Sequence, residues 1–268
     1  MNLELSGHAA RAYTLQERKR GAGLVKTAVD ARADRLLARE ARWLRELETV
    51  SELEGQVPLL IDEGITPDGR RYLVLDVAGA AGAETRAFTR GHARFLSLLG
   101  KARFRATDFE VSGCSHALQR ALRRLEGRAD QRSIALLEQA YHDCETALLY
   151  WTGPYVLAQR DFTPANVRSH GSGVFVLEWT QARAEASPLE DILHYLLAGL
   201  ARRLPEAMQR AGDFARRAWP EWPWRPQVIG AFTLVYLLGA VLEGALAGGP
   251  LIGAYWEHLK TRSAWMPA

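Results

Sequence analysis

Residues 156–167, Val156-Leu157-Ala158-Gln159-Arg160-Asp161-Phe162-Thr163-Pro164-Ala165-Asn166-Val167, followed by Gly173-Val174-Phe175-Val176-Leu177-Glu178-Trp179, decide the fold. Asp161 and Asn166 stand five residues apart in a turn-forming stretch, and a second acid, Glu178, follows twelve residues after Asn166. Phosphoryl transfer uses such a set: one carboxylate orients and deprotonates a hydroxyl, while an amide and a second carboxylate hold Mg²⁺ against nucleotide phosphates. Pro164 stiffens the loop between the two ligands, and the apolar 173–177 run reads as a strand that returns Glu178 to the same place. A plainer reading is that Asp161 and Asn166 only cap a loop, since Asp, Asn and Pro are ordinary turn residues. The rest of the chain decides between them.

The chain has 268 residues, 48% of them hydrophobic, enough to bury a substantial core in one domain or two packed lobes. Its formal charge of +3 comes from 34 basic and 31 acidic residues spread along the chain. There is no polybasic run and no interleaving of aromatic and basic residues, so a nucleic-acid partner is not expected. Cys114 and Cys144 lie in helical-looking segments outside any C-x-x-C pattern, which speaks against a disulfide framework or a zinc site. The first residues, Met1-Asn2-Leu3-Glu4-Leu5-Ser6, have neither a basic start nor an apolar core, and a cytoplasmic location is expected. Val228–Ala247 approaches the length of a membrane span, yet Glu243 interrupts it and Gly248-Gly249-Pro250 ends it. A buried core helix is expected there, and not an integral membrane protein.

The first ninety residues read as a small α/β lobe. Short strands are expected at Leu3–Ser6 and Ala10–Gln16 around a Ser6-Gly7-His8 turn, then at Leu24–Val29. Lys26 sits inside that last apolar strand, where a charge must be paired to be tolerated. From Asp34 a helical pattern places Leu36, Leu37, Glu40, Trp43, Leu44 and Leu47 on one face. An acid on that face and a lysine in the strand point to a Lys26–Glu40 ion pair, with Glu46 or Glu48 as substitutes if the face is displaced. Two more strands, Gln56–Gly64 and Arg71–Val77, flank a Thr66-Pro67-Asp68-Gly69 turn, and the small-residue run Ala78–Gly82 suits a hinge. Beyond Gly91 the chain reads as mostly helical, over 92–99, 115–125, 133–150, 189–203, 206–218 and 228–247. His92 and His194 fall within such helices and read as partnered helix residues.

The 156–179 stretch resembles the aminoglycoside phosphotransferase and choline-kinase-like family of small-molecule kinases, with a His-Gly-Asp-x-x-x-x-Asn loop and a metal strand ending in Ile-Asp-Trp. It looks closest to a branch written Asp-Phe-x-Pro-Trp-Asn-Val. The resemblance implies an α+β, bilobal protein-kinase-like fold: a small N-terminal antiparallel sheet with one helix over residues 1–78, a hinge over 79–90, and a mainly helical lobe carrying the catalytic loop over 91–268. By the same resemblance Asp161 is the catalytic base, while Asn166 and Glu178 bind metal. Lys26, held by Glu40, meets the nucleotide phosphates, the turn at Gly7 lies over them, and the backbone at Asp76, Val77 and Ala78 meets the adenine. Gln159 stands where the family has His and props the loop, and Asp191, in a Pro188-x-x-Asp191 helix start, braces it. Glu178 stands where the family has Asp.

Two functions follow from that resemblance. One is an ATP- and Mg²⁺-dependent phosphotransferase, with Mn²⁺ as an alternative metal, acting on a hydroxyl of a small molecule or glycan. The basic residues of the larger lobe favour neutral or anionic acceptors over polycationic ones. The other is a nucleotide-binding pseudokinase with a protein partner, motivated by Gln159, Glu178 and the single glycine of the phosphate loop.

Overall fold

The computed structural model describes residues 13–17, 23–84, 87–198, 203–249 and 253–266. Its contacts divide the chain into two units, one running to Ala102 and including Gln159–Arg183, the other comprising Arg103–Ala158 and the residues from Ala184 on. The expected strand at Leu3–Ser6 and the turn at Gly7 lie outside the described residues.

In the first unit, β1 (Tyr13–Glu17), β2 (Gly23–Ala28), β3 (Leu59–Ile65) and β4 (Arg71–Asp76) form an antiparallel sheet in the order β1-β2-β4-β3. Lys26 is opposite Leu15 on one side and Leu73 on the other, so it occupies an interior strand. The two-residue alternation of β2 puts Leu24, Lys26 and Ala28 on its buried face. The turn between β3 and β4 closes through Gly69 N–H donating to the Thr66 carbonyl at 2.8 Å, with Gly69 at φ +82° supplying the left-handed step.

Helix α1 (Ala31–Glu48) starts where Asp30 accepts a hydrogen bond from the Ala33 amide at 2.7 Å, an N-cap that satisfies one of the helix's orphan donors. Its buried face carries Ala33, Leu37, Glu40, Ala41, Trp43, Leu44 and Leu47. That is the stripe the sequence indicates, except that Leu36 lies at its margin and is only half-buried. Removing this much apolar area from water, at about 25 cal/mol per Å², is what fixes the helix against the sheet.

Ala78–Ala81 forms a 3-10 turn after β4. Its small residues are dictated by close packing against the hairpin of β7 (Val167–His170) and β8 (Gly173–Val176). A Cβ on Gly79 would come within 2.1 Å of the Phe175 ring, and one on Gly82 within 1.6 Å of the Ser169 carbonyl oxygen. Helix α2 (Arg90–Ala102) follows. Its Ala93 amide bonds the Thr89 carbonyl at 3.2 Å, and the Thr89 amide donates back to Nδ1 of His92 at 3.2 Å. The imidazole thus satisfies the Thr89 amide at the start of the helix, and the Thr89 hydroxyl lies 2.8 Å from the same Nδ1.

Burial lowers the His92 imidazole to a pKa of about 4, from 6.5. A base held neutral in the fold but free to protonate when unfolded contributes stability that is complete above pH 6.5 and is lost as pH falls toward 4. The full window is worth roughly 3 kcal/mol. Urea midpoints measured between pH 7.5 and 4.5 are expected to fall more steeply for the wild type than for His92→Gln. Parallel slopes would remove His92 as the titrating group.

The second unit holds β5 (Phe104–Ala106), β6 (Pro154–Ala158) and β9 (Arg183–Ala186) in the sheet order β5-β6-β9. With them are α3 (Gly113–Leu125), α4 (Gln131–Ala147), α5 (Glu190–Leu197), α6 (Leu204–Ala218), α7 (Pro226–Leu246) and α8 (Ala254–Lys260). The sequence pattern indicates α3 to α7 but not β5, β6, β9 or α8, which are too short to show a period. Helix α7 is the one described helix long and apolar enough to cross a membrane, yet most of that window is buried inside the protein. Ala231, Phe232, Leu234, Leu237, Leu238 and Leu242 are fully enclosed, and α7 packs against α3, α4 and α8 as a core helix. Cys114 on α3 and Cys144 on α4 are buried free thiols.

Candidate active site

Lys26, Glu40, Glu178, Gln159, Asp161 and Asn166 all belong to the first unit, although they come from segments up to 152 residues apart. The Lys26 ammonium donates to both carboxylate oxygens of Glu40, at 2.8 and 2.9 Å, and to Oε1 of Glu178 at 2.7 Å. All three side chains are at most 5% exposed, so these are charges taken out of water and held by one another. The expected Lys26–Glu40 pair is thus present, and neither Glu46 nor Glu48 takes its place. Glu178 as a second partner of Lys26 was not expected. Burial pushes the Glu40 carboxyl up, and the neighbouring ammonium opposes that.

Glu178 sits at a positive backbone angle, φ 59°, and Arg160 beside Asp161 at φ 67°. Non-glycine residues in this region carry strain, which persists only where the surroundings over-determine it. Here they do. The Leu177 amide donates to the Asn166 carbonyl at 2.9 Å, and the Trp179 amide to Oε1 of Glu40 at 3.1 Å. The Trp179 indole donates to the Val176 carbonyl at 3.0 Å. The turn is thereby fastened on both sides of Glu178.

Gln159 links the loop to that turn. Its amide nitrogen donates to the carbonyls of Leu177 at 2.9 Å and Glu178 at 2.5 Å, while its amide oxygen accepts from the Asp161 backbone at 2.9 Å. An amide carries both donors and an acceptor, so one side chain serves both strands of the site. Phe162 is fully buried, stacked on Phe95 of α2 at 6.0 Å and edge-on to His92 at 6.0 Å, and it anchors the loop next to Asp161. Asp161 itself stays partly accessible.

Asn166 is fully buried. Its side-chain nitrogen donates to the Asp161 carbonyl at 2.9 Å, tying the two candidate positions together. Its side-chain oxygen is buried with no hydrogen-bond partner. An orphaned amide oxygen costs about 1–3 kcal/mol, and a cation is the partner that chemistry supplies most readily to such an atom at the end of a carboxylate-bearing loop. Among the described residues no group of three or more His, Cys, Asp and Glu side chains converges as a metal cage. Mg²⁺ does not need one, because it is commonly held by one or two protein oxygens with phosphate and water completing its octahedron. Asn166 and Glu178 offer oxygen donors of that kind.

The remaining expected positions are distributed as follows. Asp76 is exposed at the end of β4, and its carboxylate accepts from the Ala78 amide at 2.9 Å, with Val77 buried between them. Asp191 lies in the first turn of α5 in the second unit, buried, at the helix end where the dipole favours an anion. Ser187 does not cap α5 directly; its hydroxyl accepts from the Leu189 amide at 3.2 Å, one turn ahead of the helix.

Solved structures were found with the same arrangement over nearly the whole chain. One is a thermostable mutant of aminoglycoside phosphotransferase APH(4)-Ia in its apo form, at TM-score 0.62 and 14% identity, covering 94% of each chain. The fold is that of the aminoglycoside phosphotransferases. A GDP complex of wild-type aminoglycoside 2'-phosphotransferase-IIIa matches at TM-score 0.59 and 15% identity over 94% of this chain and 92% of that one. The apoenzyme of macrolide 2'-phosphotransferase MphH from Brachybacterium faecium matches at TM-score 0.55 and 16% identity over 96% and 89%. No protein-family model matches the sequence, and no curated protein does. The fold is therefore the α+β, protein-kinase-like one that the 156–179 stretch implied, at 14–16% identity to these structures.

Proposed function

We propose that the protein is a phosphotransferase that moves the terminal phosphoryl group of ATP to a hydroxyl of a small molecule or glycan, in the cytoplasm, with Mg²⁺ as its metal. The observation that carries this reading is that one unit holds the Lys26–Glu40–Glu178 cluster and the Asp161–Asn166 loop, with the Asn166 amide oxygen buried without a hydrogen-bond partner. The fold supports it. Proteins of this fold have been solved with ADP and hygromycin B bound and with GDP bound.

In this reading Asp161 orients the acceptor hydroxyl and takes its proton as the bond to phosphorus forms. Lys26, restrained by Glu40, neutralises the nonbridging phosphate oxygens. Asn166 and Glu178 would hold the metal, which would supply neutralisation of the phosphate charge. Gln159 keeps the Asp161 amide and the Glu178 carbonyl in register, so the departure from histidine leaves the loop supported. The adenine of the nucleotide meets the backbone at Asp76–Ala78, where the Asp76 carboxylate accepts from the Ala78 amide. Catalysis is then positioning plus fixed charge.

The extra methylene of Glu178 has a use in this arrangement, since the carboxylate reaches Lys26 at 2.7 Å. The scaffolding alternative has no observation that favours it. Thermal-shift titrations with ATP, with and without Mg²⁺ or Mn²⁺, test the reading through the stabilisation that a ligand gives the folded state. Wild type is expected to rise with ATP and further with metal. Glu178→Gln is expected to lose the metal increment and keep that of ATP alone, and Glu178→Asp to change the preference between Mg²⁺ and Mn²⁺. No nucleotide-dependent shift under any metal would remove the phosphotransferase reading. ATP consumption against a library of hydroxyl compounds then identifies the acceptor.

A further inference from the structure

Arg168, the second residue of β7, plays no part in the chemistry above, yet it is a buried cation, 5% exposed. Its Nη1 donates to the carbonyls of Ala165 at 2.5 Å and Pro164 at 3.3 Å, with the Val167 carbonyl at 3.4 Å. These are the peptide groups on either side of Asn166. The other arm, Nη2, lies 3.4 Å from Oε1 of Glu84, a half-exposed acid in the connector that follows the 3-10 turn.

The connector and β7 are also joined through their backbones. Glu84 and Arg168 form an antiparallel bridge, and the Ser169 amide donates to the Ala83 carbonyl at 2.9 Å. Glycine at position 82 is what lets the chains approach so closely, because any Cβ there would overlap the Ser169 carbonyl. A planar guanidinium suits the position: it presents several donors in a fixed fork, and so reaches the loop carbonyls and the connector acid at once. Lysine is a single point charge and cannot span both.

We propose that Arg168 is a positioning residue, which holds the Pro164 and Ala165 carbonyls so that Asp161 and Asn166 keep their geometry, and which couples that geometry to the connector through Glu84. The catalytic consequence rests on the phosphotransfer reading; the structural consequence does not.

The test combines local hydrogen exchange with kinetics on the full chain. Exchange at the Asn166 amide, which bonds the Thr163 carbonyl at 3.0 Å, reports the loop. Amides of β2 and β4 report the rest of the unit. In R168A, exchange at Asn166 is expected to rise about tenfold or more while β2 and β4 change by less than about twofold, because only the loop loses its clamp. Mg²⁺-dependent hydrolysis of ATP by water is expected to lose about 10²-fold in kcat, with KM for ATP changed by less than about threefold, as for a misplaced rather than a missing group. R168K is expected to recover part of the loss, and E84Q to fall between wild type and R168A. Should R168A fail to fold, R168K and E84Q decide by the same measurements. Unchanged loop exchange in the folded variants, or a rise spread equally over the unit, overturns the proposal. A wild type that hydrolyses no ATP sinks the phosphotransfer reading, and the exchange data still decide the role of Arg168.

Discussion

Asp161→Asn is expected to lower the rate of phosphoryl transfer by a factor on the order of 10²–10⁴, the usual worth of a positioned base. Nucleotide affinity and the unfolding midpoint are expected to stay close to wild type. The loop is held by groups other than the Asp161 carboxylate: the Asp161 amide bonds Gln159, its carbonyl bonds Asn166, and Phe162 is fully enclosed. The substitution therefore removes proton acceptance and leaves the backbone scaffold in place. Single-turnover kinetics with the identified acceptor separate the two effects. A variant that binds ATP normally and turns over at the wild-type rate would take Asp161 out of the role of base.

The second large effect belongs to Lys26→Ala. Removing the ammonium leaves the Glu40 and Glu178 carboxylates facing each other in a dry interior. Breaking a buried ion pair from one side typically costs about 3–5 kcal/mol, and here two acids lose the same partner. Weaker ATP binding is expected to accompany the loss of stability.

The pH dependence of that loss has a definite sign. Burial already raises the Glu40 carboxyl above 4.5, and once Lys26 is gone the Trp179 amide is left to favour its charged form. The folded variant then holds a proton that the unfolded chain has released, so its stability is recovered as pH falls through the raised value and is lowest well above it. Denaturant unfolding of wild type and Lys26→Ala at pH 5 and pH 8 reads this directly. A double-mutant cycle with Glu40→Ala that gives a coupling near zero would show that the two residues do not act as a unit.

Much of this site is legible in the chain itself. A lysine in an apolar strand and an acid on the apolar stripe of a helix each violate the hydrophobic pattern around them, and pairing is the inexpensive resolution; Lys26 and Glu40 are found by that argument alone. The loop from Gln159 to Asn166 is likewise legible, because its acid, proline and amide stand at fixed short spacing. Arg168 is not. In a sequence reading Asn166-Val167-Arg168-Ser169-His170, an arginine near a hairpin looks like a solvated surface residue, and only its burial against Pro164 and Ala165 says otherwise.

The reach of Glu178 belongs to the same class. Periodicity places it at the end of a strand, but its left-handed backbone and its contact with Lys26 come from bonds made by Gln159, Asn166 and Glu40, all distant in sequence. By itself the sequence determined the elements and their chemistry: the strand that carries Lys26, the helix stripe that carries Glu40, and the short spacing of the loop, since these depend on local period and local propensity. Only the tertiary structure decided how one lysine is shared between two acids, which carbonyls a buried arginine holds and why the connector must be small, since each is a contact between segments whose meeting no local pattern encodes.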